Sequence, residues 1–227
     1  EYMDVTVVRD GFEYKLHFEK GENKTGTKEG FHKKPTNSKK TGTTIRWKPD
    51  LEVFTDINIP VDYYLDTLKR QAVVNSHIKF VLKNQAGNKF ETTEFLYQNG
   101  IVDYVTELAG ENPLTSVQFL EGERRGRDRA DKAEYKVKLS CAFCFSSAVS
   151  KIEYYHNSSW LEHGGAPDKA VRSAFVSAID AYLKQNNKYT KSESKVTFQD
   201  VMDSLVLVTN CFSTQTSYAN QTKKAIT

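Results

Sequence analysis

Cys141-Ala-Phe-Cys144 has the spacing of a metal-binding or redox pair. Its surroundings argue against that chemistry. Within Tyr135 to Phe145, the residues Tyr135, Val137, Leu139, Cys141, Phe143 and Phe145 alternate as one apolar face, which predicts a strand. Residues three apart on a strand point to opposite faces, so these thiols are poorly placed to share a metal, and small buried residues are the expected role. With Cys211 the chain holds three cysteines, an odd and sparse set that builds no disulfide framework and suits a reducing compartment. His17, His32, His77, His156 and His163 are scattered and read as surface or hydrogen-bonded structural residues. Gly164-Gly165 ahead of a helix could offer backbone N–H groups to an anion, or could simply make a tight turn. No Walker A loop, GxGxxG, zinc-spaced His/Cys set or nucleophile elbow is present. Taken one by one, the residues name no complete active site and no metal site.

The elements that must position such residues are legible in the pattern. Tyr2 to Val8 and Phe12 to Phe18 alternate around Asp10-Gly11, a hairpin signal. A start inside a strand, with no cap or leader, suggests an excised part of a longer protein. Gly21 to Lys40 carries six lysines against Glu22 and Glu29 with no apolar periodicity, and is expected to be a mobile basic loop. Thr41 to Trp47 reads as a strand, Val61 to Val74 behind Pro60 as an amphipathic helix, and Ile78 to Leu82 with Phe90 to Phe95 as a second hairpin. A short helix is expected from Ile101 to Leu108, and strands at 114–120, 134–145 and 148–155. Glu121 to Asp131, four arginines against four carboxylates, reads as a solvated hairpin loop. Ala170, Val171, Ala174, Phe175, Ala178, Ile179, Tyr182 and Leu183 mark one helical stripe behind Pro167. A short helix near Phe198 to Met202 and the β-branched run Leu205 to Thr209 follow. This order predicts an α+β fold with the helices on one face of the sheet. The 38% hydrophobic content, with 13 Phe and 12 Tyr, suffices for a packed core, and no apolar run is long enough to span a membrane. A net charge of +3 is a faint electrostatic footprint for a nucleic-acid binder.

Five ordered segments resemble the ATPase subunits of DNA gyrase and topoisomerase IV, the gyrase B family. Thr41-Gly-Thr-Thr-Ile-Arg-Trp-Lys-Pro-Asp-Leu-Glu-Val-Phe54 is similar to that family's TGT-x-[VI]-x-F-x-P-D-x-x-x-F segment, and the helix and the Ile78 to Leu82 strand follow in the family's order. Tyr97-Gln-Asn-Gly-Ile101 looks like its Y-x-x-G-[IL] element. Tyr155-His-Asn157 through Gly164-Gly165 resembles its F-x-N-x-[IV] to G-G-T-H stretch, with Ala166-Pro167 in place of Thr-His. Gln221-Thr222-Lys223 is similar to its QTK loop.

The resemblance implies a fold: residues 1–96 as the C-terminal part of a GHKL ATPase domain, a partial sheet-and-helix layer, and residues 97–227 as a transducer domain of ribosomal-S5-domain-2-like architecture. It implies roles as well. Lys223 and Gln221 would be catalytic, reaching the γ-phosphate of ATP or the attacking water, and Thr43 would lie at the floor of the nucleotide pocket. ATP and Mg2+ are implied for the intact protein and none for this chain alone, because the family's general-base glutamate, magnesium-binding asparagine and ATP lid lie upstream. DNA, a DNA-cleaving A-type subunit and a second copy joined through the upstream region are the implied partners, in the cytoplasm and without a membrane. A non-enzymatic nucleic-acid-binding S5-like module and another GHKL relative are the alternatives.

Overall fold

The structure, a computed structural model, describes residues 1–127, 129–219 and 221–226. Asp128, counted above in the charged stretch, and Asn220 and Thr227, beside the Gln-Thr-Lys segment and at the chain end, lie outside the described residues. The chain divides into two compact units, Glu1–Pro60 and Val61–Thr227.

The first unit is an antiparallel sheet. Strand β1 (Tyr2–Arg9) lies between β2 (Phe12–Glu19) and β5 (Gly42–Lys48). Arg9 pairs with Phe12 across Asp10-Gly11, so the alternating pattern and its turn place this hairpin as expected. The segment read as a mobile basic loop is different. It contributes β3 (Glu22–Asn23) and β4 (His32–Pro35), both paired with β2. The pairing runs through the backbone, and the lysines contribute through their stems and charge: the Lys33 ammonium sits 4.0 Å over the Phe12 ring. The run His32-Lys33-Lys34-Pro35, with no apolar alternation, hides such a strand from any hydrophobic pattern.

The second unit opens with helix α1 (Val61–Val74), with the bounds its periodicity predicts, and a two-stranded hairpin of β6 (Phe80–Ala86) and β7 (Lys89–Phe95). Helix α2 (Ile101–Ala109) follows the Tyr97-Gln-Asn-Gly100 turn. Gly100 has φ +55, and a Cβ there would lie 3.3 Å from the Val73 carbonyl, so the turn brings α2 against the end of α1 as only glycine readily permits. Strands β8 (Gln118–Gly126), β9 (Tyr135–Phe145), β10 (Lys151–His156), β11 (Ser159–Trp160) and β12 (Leu205–Ser213) form a sheet in the order β11-β10-β12-β9-β8. β10 and β12 are parallel, and their crossover carries α3 (Ala166–Gln185) and α4 (Phe198–Met202). The charged stretch from Glu121 is strand through Gly126, paired with Tyr135 to Ser140, so the loop is shorter than its composition suggests.

The helices lie on both faces of this sheet, which corrects the expectation of one. Ala142, Cys144, Val206 and Val208 join Tyr104 and Val105 of α2 and Val73 of α1 in one core. Cys141, Leu205 and Leu207 join Phe175 and Ile179 of α3 and Phe198 of α4 in the other. Cys141 and Cys144 thus fall in different cores, as strand alternation requires. Being covered on both sides, β12 is buried continuously from Leu205 to Thr209 and does not alternate. The stripe of α3 divides: Val171, Phe175, Ile179 and Leu183 turn inward, while Ala170, Ala174, Ala178 and Tyr182 are exposed. The boundary at 96/97 follows motifs, and the division at Pro60 follows packing. Ala72 and Val73 of α1, and Phe80 and Phe95 of the hairpin, pack in the same core as Tyr97 and Val105.

Candidate functional site: the C-terminal loop

Gln221 and Lys223 lie on one exposed loop of the second unit, and its position is set by two separate anchors. The first holds its entrance. β10 turns into β11 through Asn157 and Ser158, both at positive φ. The Asn157 side chain donates to the Ser213 carbonyl at 3.1 Å and to Thr216 Oγ1 at 3.2 Å, and its Oδ1 accepts the Ser213 N–H at 3.0 Å. His156 Nε2 is 2.8 Å from the same Thr216 hydroxyl, and its ring meets Tyr218 edge-on. Burial lowers the His156 pKa below its ordinary value, so the ring is neutral at pH 7.

The second anchor holds the exit. Ile226 bridges in parallel to Gly165 and antiparallel to Tyr218, and the Ala219 N–H donates to the Ala225 carbonyl at 3.0 Å. The Ala166 and His163 amides donate to the Ile226 and Lys224 carbonyls at 3.2 and 3.0 Å. A Cβ on Gly165, at φ +94, would stand 2.1 Å from the Ile226 oxygen. The Gly-Gly segment, which the sequence left open between a turn and an anion site, is therefore a backbone seat for the loop's exit segment.

Between the anchors the two lysines differ. Lys224 is tied to Glu162 at 2.5 Å, and this pairing lowers the Glu162 pKa. Lys223 adopts φ +58, a left-handed conformation that a non-glycine residue rarely holds, with its ammonium 5.5 Å from the centre of the Tyr218 ring. Among the described residues it forms no ion pair. A strained, exposed cation on a doubly anchored loop is suited to meeting an anion brought to it. Thr43 belongs to the first unit, exposed on β5 opposite Val7. Thr216 and Tyr218 carry no signal of this work by type or spacing, and although Asn157 and Gly165 stand in the stretch that resembles the family, nothing in that pattern shows the residues distant in sequence on which they act. Among the described residues no three His, Cys, Asp or Glu side chains come together as a metal site.

The family model for DNA gyrase B matches residues 100–227. The chain is 26% identical over 229 residues to the DNA gyrase B protein of Metamycoplasma hominis, covering 97% of this chain and 34% of that protein. It is 26% identical over 231 residues to the DNA gyrase B protein of Archaeoglobus fulgidus, covering 100% and 34%. The chain spans about a third of the length of these curated relatives. Its fold matches the 43K ATPase domain of Thermus thermophilus gyrase B, solved in complex with an aminocoumarin, with a TM-score of 0.70 at 21% identity over 100% of this chain and 58% of that one.

Proposed function

The chain belongs to the DNA gyrase B family, and on that premise we propose that it forms part of the ATPase subunit of an ATP-dependent type II DNA topoisomerase. In this reading residues 1–96 are the rear of a GHKL ATPase domain and residues 97–227 an S5-like transducer that couples ATP binding and hydrolysis to DNA strand passage. DNA, an A-type DNA-cleaving subunit and a second copy of the intact protein are its partners, and its place is the cytoplasm. No described helix is long and apolar enough to cross a membrane.

The observation that carries the proposal is the state of Lys223: exposed, in a left-handed conformation, and held between two anchors while its neighbour Lys224 is neutralised by Glu162. A compact ammonium so presented fits a phosphate, and Gln221 on the same loop adds an amide that can bond a phosphate oxygen or a water. Bound ATP supplies the phosphoryl group; Lys223 opposes negative charge on it, and the anchors report its presence to β12 and α3 through Ser213 and Gly165. Thr43 is assigned to the adenine end. Mg2+ is assigned, on the family resemblance, to an asparagine upstream of this chain.

The test is DNA-stimulated ATP hydrolysis by the full-length protein, comparing wild type with Lys223→Ala. Turnover is expected to fall by about a hundredfold with nucleotide binding retained, by analogy with losing one charge-stabilising donor. Unchanged turnover overturns the role of Lys223.

A further inference from the structure

We propose that the cavity between the β9–β12 face of the sheet, the first turns of α3 and the stems of the C-terminal loop binds an uncharged, mainly apolar small molecule bearing one hydrogen-bonding group. The cavity has a volume of about 530 Å³, within the usual range for a small-molecule site. Val137, Leu139, Pro167 and Val171 give it apolar walls. Among its described lining residues there is no Lys, Arg, Asp or Glu, and burial keeps His156 neutral. Nothing there would compensate a ligand charge taken out of water.

The polar feature that selects an occupant is Thr209. It lies on the central strand β12, on the face shared with Leu205 and Leu207, and is 1% exposed. Among the described residues its hydroxyl has no hydrogen-bond partner. A buried hydroxyl left unpaired is unfavourable, and a valine would fill the same volume on a strand of Leu and Val without that penalty. A ligand N–H, O–H or carbonyl directed at Thr209 Oγ1 satisfies it. The site also has a mechanical consequence. Thr216 and Ser217 on the entering stem and Ile226 on the leaving stem line the same cavity, so an occupant touches both ends of the loop that carries Gln221 and Lys223. Binding is read on the chain itself, with neither ATP nor DNA, so it stands or falls apart from the topoisomerase reading.

N-phenyl-1-naphthylamine, an uncharged aromatic amine with one N–H that brightens in apolar surroundings, is the probe. Its titration into the 227-residue chain is expected to show saturable one-to-one binding. Thr209→Val should weaken that binding by about fivefold, the worth of one hydrogen bond, without loss of folding by circular dichroism. Ala170→Trp, placed at an exposed helical position on the cavity wall, should abolish it. Cys211 lines the cavity, so probe at about ten times its Kd should slow Cys211 alkylation by N-ethylmaleimide by about tenfold. The proposal is overturned by any of three results: no saturable binding, binding unaltered in Ala170→Trp, or an unchanged alkylation rate at saturation.

Discussion

Two histidines, one in each unit, respond to pH with opposite sign. His17 Nδ1 lies 2.6 Å from Asp4 Oδ1 and its Nε2 lies 3.2 Å from Glu19 Oε1, and the bond to Asp4 is the main cause that raises its pKa. The folded state therefore holds the His17 proton more tightly. Its stabilising effect is full below the unfolded histidine value of about 6.5 and is lost as pH rises through the folded value. His156 is the reverse. Burial lowers its pKa, so the unfolded chain binds the proton first, and stability falls as pH drops from about 6.5 through the folded value. The ring resonances of His17 and His156, followed by NMR, should titrate above and below about 6.5 respectively. A midpoint for His156 at or above that value would show that Thr216 sits beside a charged ring. Neither behaviour is legible in sequence, where the two residues are just histidines; Asp4 is 13 positions from His17 and Thr216 is 60 from His156.

At the scale of elements, the Gly165 seat predicts a separable defect. Gly165→Ala forces a Cβ against the Ile226 carbonyl at a backbone conformation that disfavours side chains, at a cost of about 1–3 kcal/mol. The exit segment of the loop should lift while the sheet stays formed. Hydrogen exchange checks this: the Ala219 and His163 amides, which bond Ala225 and Lys224, should lose protection, and the Leu207 amide should keep it. Retained protection at Ala219 would mean that the loop is seated by its entrance alone. The sequence announces elements that carry their own signal: Asp10-Gly11 between alternating strands, and α1, whose apolar positions repeat within one turn of each other. It conceals those whose partner supplies the logic. β4 is a run of His and Lys that becomes a strand because β2 offers its edge. β8 continues into a charged stretch because Lys136 meets Glu123 at 2.7 Å across the ladder. The candidate loop is similar in kind. Gln221 and Lys223 stand out only through resemblance to a known motif, as do Asn157 and Gly165, whose work as the loop's anchors becomes apparent only when the sheet brings them near.

For the whole molecule, the decisive contrast is how burial is distributed between the units. Among the described residues none of the first unit is fully buried, and Ile45, Trp47, Leu51 and Phe54 are exposed by more than half. The fully buried hydrophobic core begins at Ala72 and ends at Val208, all in the second unit. Apolar burial is the main favourable term in folding, at about 25 cal/mol per Å², and a sheet of about 60 residues is marginal even when it is well covered. The first unit should therefore unfold at lower urea than the second. The two tryptophans allow the comparison within one chain, since Trp47 lies in the first unit and Trp160 in the second, where the Arg70 guanidinium stacks 3.5 Å over its ring. Trp160→Phe leaves Trp47 to report on the first unit, and Trp47→Phe leaves Trp160 to report on the second. Separated midpoints, with Trp47 first, are the expected outcome. Coincident midpoints would show that the two units unfold as one cooperative body.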